Sequence, residues 1–280
     1  EAGEIVFLLK GADAVMSGIV KYNEWLDEEC RNLAREGLRT LVFAQRRLSA
    51  AEWDEFSRRL HEAKASVKER DARVLRTQMQ LEHDMDLLGL TGVEDKLQEG
   101  VKATLEMLAP SGIKVWMLTG DKMETARCIA VSARLVARSQ TIFPFTAATA
   151  GEAATLLYQF SLQRDACLLI DGHALQLCVD HHEALFVEVA CRAPTVVVCR
   201  CSPTQKALVA RLIRRTRGAV VAAVGDGGND VSMIQAADVG VGLVGREGRQ
   251  ASLAADFSIT QFRHLSRLLL WHGRTSYLRS

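Results

Sequence analysis

The run Ala219-Val-Val-Ala-Ala-Val-Gly-Asp-Gly-Gly-Asn-Asp-Val-Ser-Met-Ile234 decides the fold. Its first six residues are apolar, enough for one buried strand and far short of the roughly 20 a membrane span needs. Asp226 and Asp230 follow, separated by Gly227, Gly228 and Asn229. Glycine lets a backbone turn sharply at a strand end and come close to a ligand. Two carboxylates on such a turn suit Mg²⁺, which takes one or two protein carboxylates plus phosphate and water. The plainer reading is a strand-to-helix loop in which Asn229 or Asp230 caps a helix over 231–237.

The sequence around this run repeats one alternation. Short apolar segments at 87–90, 113–118, 166–170, 195–199 and 219–224 are interleaved with helical patterns at 101–109, 123–135, 152–162, 203–215 and 231–237. That order predicts an α/β fold, a parallel sheet with helices on both faces. In such folds ligands bind beyond the carboxyl ends of the strands. Two more strand ends carry candidate chemistry. Val115-Trp-Met-Leu118 runs into Thr119-Gly120-Asp121-Lys122 and a helix start, which together offer a hydroxyl, a glycine amide and a helix N-terminus to an anion; Thr119 or Asp121 as a helix cap is the alternative. The segment 196–199 runs into Arg200-Cys201-Ser202-Pro203-Thr204-Gln205-Lys206, where Ser202 as N-cap and Pro203 at the first helical position open a helix. Lys206 then sits in a first turn, where the helix dipole disfavours a cation. A bound phosphoryl group would explain it; so would a plain ion pair with Asp226 or Asp230 that ties two loops together.

Before residue 87 the texture differs. Residues 4–9 read as a strand ending in Lys10-Gly11-Ala12-Asp13, either a ligand-facing ammonium beside a close backbone or an ordinary turn. Ile19, Tyr22, Leu26, Cys30 and Leu33 recur at helical spacing over 19–36, with Gly37 as the C′ residue, and Arg39-Thr40 opens a strand through 41–44. Residues 50–86 predict an amphipathic helical pair broken near 69–71.

Composition bounds the function classes. The chain has 280 residues, 48% hydrophobic and 25% charged, with a net charge of +1. That balance argues against nucleic acid as a partner. Seven cysteines at 30, 128, 167, 178, 191, 199 and 201 lie mostly in apolar runs, which predicts buried reduced thiols in a cytosolic setting. Cys199-x-Cys201 is at most half a metal site, and His181-His182 reads as a solvated helix end. No signal peptide is evident. Glu1 stands where a start codon would be, directly before a strand, so the chain reads as part of a longer protein.

Thr-Gly-Asp, a first-turn lysine and Gly-Asp-x-x-x-Asp, in that order, resemble three of the four motifs of haloacid-dehalogenase-like phosphotransferases. Met117-Leu-Thr-Gly-Asp-Lys122 with Glu124-Thr-Ala126 is similar to the P-type ATPases. Asp226-Gly-Gly-Asn-Asp-Val-Ser-Met-Ile-Gln-Ala-Ala-Asp238, Glu247-Gly-x-Gln-Ala251, Gln261-Phe262 and His272-Gly-Arg-x-Ser-Tyr277 resemble the type IV branch, the phospholipid flippases. Thr91-Gly-Val-Glu-Asp-Lys-Leu-Gln98 and Lys10-Gly-Ala12 fit that branch too. Gly228, where many relatives have alanine, resembles the subgroup that works without an accessory β subunit.

The resemblance implies an enzyme that couples ATP hydrolysis, through an aspartyl-phosphate, to phospholipid movement between leaflets. It implies a haloacid-dehalogenase-like (Rossmannoid) sheet plus an α+β remnant of an inserted domain. Residues 1–86 would be the C-terminal part of the nucleotide-binding domain and 87–262 that of the phosphorylation domain. Residues 263–280 would be a stalk leading to a transmembrane helix, with Leu268–Trp271 near the membrane surface. Lys10 and Arg39 would contact ATP. Thr119, Gly120 and Asp121 would hold the phosphoryl group and nucleotide, Arg200 would reach the nucleotide, and Lys206 would neutralise the transferred phosphoryl. Asp226 would bind Mg²⁺ directly, and Asn229 and Asp230 would complete the phosphate and metal shell. The partners implied are a phospholipid substrate, the membrane and the remainder of the same chain, with this segment on the cytosolic side of trans-Golgi or endosomal membranes. The family's nucleophile, the aspartate of Asp-Lys-Thr-Gly-Thr, has no counterpart here, so this segment alone should be inactive. A soluble phosphatase of the same superfamily and a non-catalytic Mg²⁺- and nucleotide-binding module are the competing readings.

Overall fold

The computed structural model describes residues 4–21, 24–94, 96–137, 139–245 and 249–280. Tyr22, Asp95, Glu247 and Gly248, used in the sequence reading, lie outside these. The chain forms two compact units, Glu1–Asp95 and Lys96–Ser280.

In the first unit three antiparallel strands, β1 (Ile5–Gly11), β2 (Arg39–Leu48) and β3 (Asp86–Val93), lie in the order β1-β2-β3. Alternate residues Val42 and Ala44 of β2 point inward onto Met16, Leu26, Cys30 and Met85, which form the core with α1 (Asp13–Met16) and α2 (Leu26–Arg35). Helix α2 ends as expected: Gly37 adopts φ +86°, its amide bonds the Ala34 carbonyl, and the Leu38 amide bonds Leu33. The helix expected over 19–36 begins only at Leu26, because Ile19 and Lys21 exchange backbone hydrogen bonds with Met85 in a short bridge. The helical pair is present as α3 (Ala50–Ala65) and α4 (Arg70–Met79). Ser49 and Glu52 cap α3 reciprocally.

The segment 87–90, expected to begin the parallel sheet, instead lies in β3, paired antiparallel along β2 from Arg39↔Val93 to Gln45↔Asp86. The strand belongs to the first compact unit, which runs through Asp95.

The second unit is the alternating α/β part. It contains α5 (Val101–Leu108), β4 (Trp116–Leu118), α6 (Met123–Ser132), β5 (Ile142–Phe145), α7 (Ala150–Ser161), β6 (Cys167–Asp171), α8 (Gly172–Arg192), β7 (Val196–Cys199) and α9 (Pro203–Arg217). These are followed by β8 (Ala222–Gly225), α10 (Val231–Ala236), β9 (Val239–Leu243), α11 (Gln250–Ala254) and β10 (Phe257–Ile259). All its strand pairs are parallel, in two sheets ordered β4-β7-β6-β5 and β10-β9-β8. β5 is an edge strand and carries Pro144.

The larger sheet is covered on both faces, as expected. Leu168, Ile170, Val196 and Val198 pack with Leu157, Phe160, Leu175 and Phe186 of α7 and α8. The intervening Cys167, Leu169, Val197 and Cys199 pack with Ala126 and Ala130 of α6. Strands buried on both sides read as continuous apolar runs, which is how β6 and β7 appear in sequence. The edges of the two sheets share cores: Leu118 of β4 packs with Ala223 of β8, and Val115, just before β4, packs in the same cluster as Val224.

His181 and His182 lie where two helical stretches meet at a kink, His181 exposed and His182 half-buried. They lie inside α8, where His182 departs from helical geometry (φ −138°, ψ 33°) and its Nε2 bonds the Ala150 carbonyl at 2.9 Å. The chain ends in a helical segment from His264 to Arg279, π-helical over Arg267–Gly273. Leu268, Leu269 and Leu270 pack on the Val241–Leu265 core, while Trp271, Tyr277 and Leu278 are exposed. No helix among the described residues is long and apolar enough to cross a membrane.

Candidate active site

The chemistry-bearing segments meet at the carboxyl ends of β4, β7 and β8. The Thr119 amide bonds Val198 at 2.8 Å, and past the end of β7 the direction reverses: the Arg200 amide donates to the Asp121 carbonyl (2.8 Å) and the Cys201 amide to the Thr119 carbonyl (2.9 Å). These bonds lock the Thr119–Asp121 turn onto the Arg200–Cys201 loop. Thr119 Oγ1 donates to Asp121 Oδ2 at 2.8 Å and accepts the Asp121 amide at 3.1 Å. Neither residue caps α6, whose N-cap is Lys122, without a side-chain cap bond.

Helix α9 opens as its sequence predicts. Ser202 Oγ accepts the Gln205 amide, Gln205 Oε1 accepts the Ser202 amide, and Pro203 fills the first turn. This fixes Lys206, whose Nζ donates to Asp230 Oδ1 at 2.8 Å with each side chain only 12% exposed. Asp230 Oδ2 accepts the Asp226 amide at 3.3 Å. Asp230 occupies the N-cap position of α10, but its side chain makes no cap bond there. Its carboxylate folds back over Gly225, where a Cβ would run into the Asp230 side chain. Asp226 and Asn229, by contrast, are exposed.

The structure therefore brings Lys206, Asp226 and Asp230 together, and Thr119, Asp121 and Arg200 together. Cys201, bonded to Thr119 and close enough to Lys206 to feel its charge, joins the two groups. Gly120 is exposed, 3.9 Å from the Cys201 carbonyl measured from an added Cβ. Lys10 and Arg39 belong to the first unit. Lys10 is opposite Phe43, and Arg39, Leu41 and Phe43 alternate onto the same face as Lys10.

No group of three or more His, Cys, Asp or Glu among the described residues is placed to hold a metal. The donors at Asp226 and Asp230 still fit Mg²⁺: one exposed carboxylate and a second already neutralised by lysine suit an ion that keeps waters and phosphate oxygens as its other ligands. Four of the seven cysteines are buried thiols held away from their reactive form. Burial pushes the Cys167, Cys178 and Cys199 thiols up to about 12 and Cys201 to about 11. Thiols held protonated in this way are poor nucleophiles and poor metal ligands.

Two residues at this site were not singled out from the sequence. Gln205 bridges to α8 through Nε2, which donates to the Gly172 carbonyl at 2.6 Å. Gly172 lies so close to Arg200 that a Cβ there would sit 2.5 Å from the Arg200 carbonyl oxygen. The Ser-x-x-Gln pattern signals Gln205 as a capping-box member; nothing local signals its second bond.

Sequence comparison gives the lineage. A family model described as "Phospholipid-translocating P-type ATPase C-terminal" matches residues 252–280. Over 278 residues the chain is 56% identical to "Probable phospholipid-transporting ATPase IIB" of Homo sapiens, covering 99% of this chain and 24% of that protein. It is 55% identical over 279 residues to "Phospholipid-transporting ATPase NEO1" of Saccharomyces cerevisiae (99% and 24%). It is 53% identical over 280 residues to "Probable phospholipid-transporting ATPase tat-5" of Caenorhabditis elegans (99% and 26%). The chain is homologous, along nearly its whole length, to the phospholipid-transporting P-type ATPases. It spans about a quarter of the length of these relatives. The similarity to these relatives runs through both units.

Proposed function

We propose that this chain is part of an ATP-driven phospholipid translocase, and that its second unit belongs to a haloacid-dehalogenase-like phosphorylation domain. The observation that carries the reading is the Lys206–Asp230 pair beside exposed Asp226, next to the locked Thr119–Asp121 turn, all at strand carboxyl ends. In this reading Asp226 and Asp230 hold Mg²⁺, which when bound offsets phosphate charge. Lys206 exchanges part of its contact with Asp230 for the transferred phosphoryl group. Gly120 leaves the backbone open to phosphate, and Asp121, Asn229 and Arg200 contact phosphate or nucleotide. Lys10 and Arg39, on one face of the first unit's sheet, contact ATP. Phosphoryl transfer depends mainly on in-line positioning and charge neutralisation, which is what these residue types supply.

The nucleophile would come from elsewhere in the full-length protein, since no Asp-Lys-Thr-Gly stretch occurs in this chain. The edges of β4 and β8 support that arrangement. They share apolar clusters through Leu118 with Ala223 and Val115 with Val224, yet each is hydrogen-bonded on one side only among the described residues. A further strand bearing the aspartate would pair with either edge. The remaining assignments follow the family likeness: a nucleotide-binding origin for the first unit, a stalk at 263–280, work without a β subunit, and a trans-Golgi or endosomal membrane with this segment cytosolic.

Labelled ATP tests the proposal. The full-length protein should form an acid-stable, hydroxylamine-sensitive phosphoenzyme, lost in Lys206→Met and Asp226→Asn. The 280-residue chain alone should trap none. Label on the isolated chain that disappears when one of its own aspartates is replaced would overturn the reading, as would failure of the full-length protein to label.

A further inference from the structure

We propose that Gln205 and Gly172 are positioning residues that hold Arg200 and Lys206 in register; the inference rests on the phosphoryl-transfer reading above. Arg200 adopts φ +48°, a left-handed conformation that a residue with a Cβ keeps only where its surroundings impose it. On one side, the imposing contacts are the Arg200 and Cys201 amides on the Asp121 and Thr119 carbonyls. On the other side lies the start of α8. With no Cβ, Gly172 lets the Arg200 carbonyl approach; an added Cβ would be 2.5 Å from that oxygen and 2.8 Å from Gln205 Oε1. The obstructing atom is backbone and has no flexible end to swing away.

Gln205 closes the clamp. Its Oε1 serves the cap of its own helix, as Glu or Gln does at many helix starts. Its Nε2 does something a cap does not require: it reaches 2.6 Å to the Gly172 carbonyl and ties α9 to α8. The next residue is Lys206. At the end of β6 the Asp171 carboxylate caps α8 by accepting the Ala174 amide at 2.8 Å, and the helix start it fixes is the abutment against which the Arg200 loop and the Lys206 helix are set.

Gln205→Glu separates the two roles. Glutamate keeps the oxygen that serves the cap but cannot donate to Gly172. The control, Ser202→Ala, removes the cap acceptor and leaves the tether. In the full-length protein, Gln205→Glu should melt with the wild type and should form phosphoenzyme about 10–100-fold more slowly at saturating ATP, the range expected for reacting groups misplaced by an ångström or less. Hydrogen exchange at the Arg200 and Cys201 amides should speed up about tenfold, although neither amide belongs to the cap. Ser202→Ala should leave both readouts within about twofold. Wild-type labelling and exchange in a folded Gln205→Glu variant would overturn the inference, as would a Gln205→Glu variant that does not fold, since the tether would then be purely structural. If the wild type labels and Lys206→Met does not, these outcomes sink only this inference. If the wild type fails to label, the underlying reading falls and takes this one with it.

Discussion

Replacing Lys206 by methionine tests the buried pair directly. Lys206 and Asp230 meet at 2.8 Å with side chains 12% exposed. Removing one member of such a pair costs about 3–5 kcal/mol, because the partner charge stays buried without compensation. The remaining donor to Asp230, the Asp226 amide at 3.3 Å, is a weak replacement. One term runs the other way: removing a cation from the first turn of α9 returns roughly 0.3–1 kcal/mol of dipole repulsion. The net loss is about 2–5 kcal/mol, or roughly 4–19 °C in melting temperature for a unit of this size. Thermal unfolding of the purified chain, followed by circular dichroism, should show that drop. Millimolar Mg²⁺ should restore part of it by neutralising the crowded carboxylates. Lys206→Met combined with Asp230→Asn should melt well above Lys206→Met alone, giving a coupling energy above about 1 kcal/mol. A Lys206→Met chain that melts within about 1 °C of the wild type, or a coupling near zero, would refute the reasoning and leave Lys206 without a structural role.

Alkali should unfold the second unit early. Burial raises Cys167, Cys178 and Cys199 from an ordinary 9.0 to about 12, so above pH 9 unfolded thiols release protons that the folded ones keep. Stability should be flat below about pH 8 and fall between 9 and 12, by about 1.4 kcal/mol per thiol at pH 10; urea titrations at pH 7 and 10 measure it, and a slope unchanged in Cys199→Ala would contradict the assignment. Gly242→Ala should cost about 3 kcal/mol or more, because a Cβ on β9 would strike the backbone of Ser252 and Ala251 in α11; a near-neutral denaturation midpoint would show that α11 packs elsewhere. Ser49→Ala should cost the first unit about 1 kcal/mol through loss of the α3 cap, visible as a lower midpoint with unchanged slope.

How much of this was legible depended on whether a signal was local. The strand, glycine turn and helix of 219–236 follow from an apolar run and turn chemistry, and α9 from Ser202-Pro203. The long helix α8 was not read. Its buried residues change phase at the His182 kink, from Ala174, Leu175 and Cys178 to Phe186, Val187, Val189 and Ala190, so no single helical stripe runs through it. Strand β9, Val239-Gly-Val-Gly-Leu243, looks turn-like because its glycines leave room for α10 and α11: a Cβ at Gly240 would meet Ile234 at 2.6 Å. The direction of β3 was also hidden, since an apolar run carries no mark of which neighbour it will pair with. The residue types at the site were visible, but their partners were not. Lys206 and Asp230 are 24 positions apart, and the sequence left two aspartates equally available.

The proline in β5 gives the larger sheet a polarity for growth. Pro144 has no N–H to offer an incoming strand, so that margin is a poor template for β-addition, as edge prolines generally are. β4 and β8 carry no such guard. Self-association through the larger sheet should therefore propagate from β4, and a charged or proline substitution there would improve the solubility of the isolated chain where the same change at β5 would not.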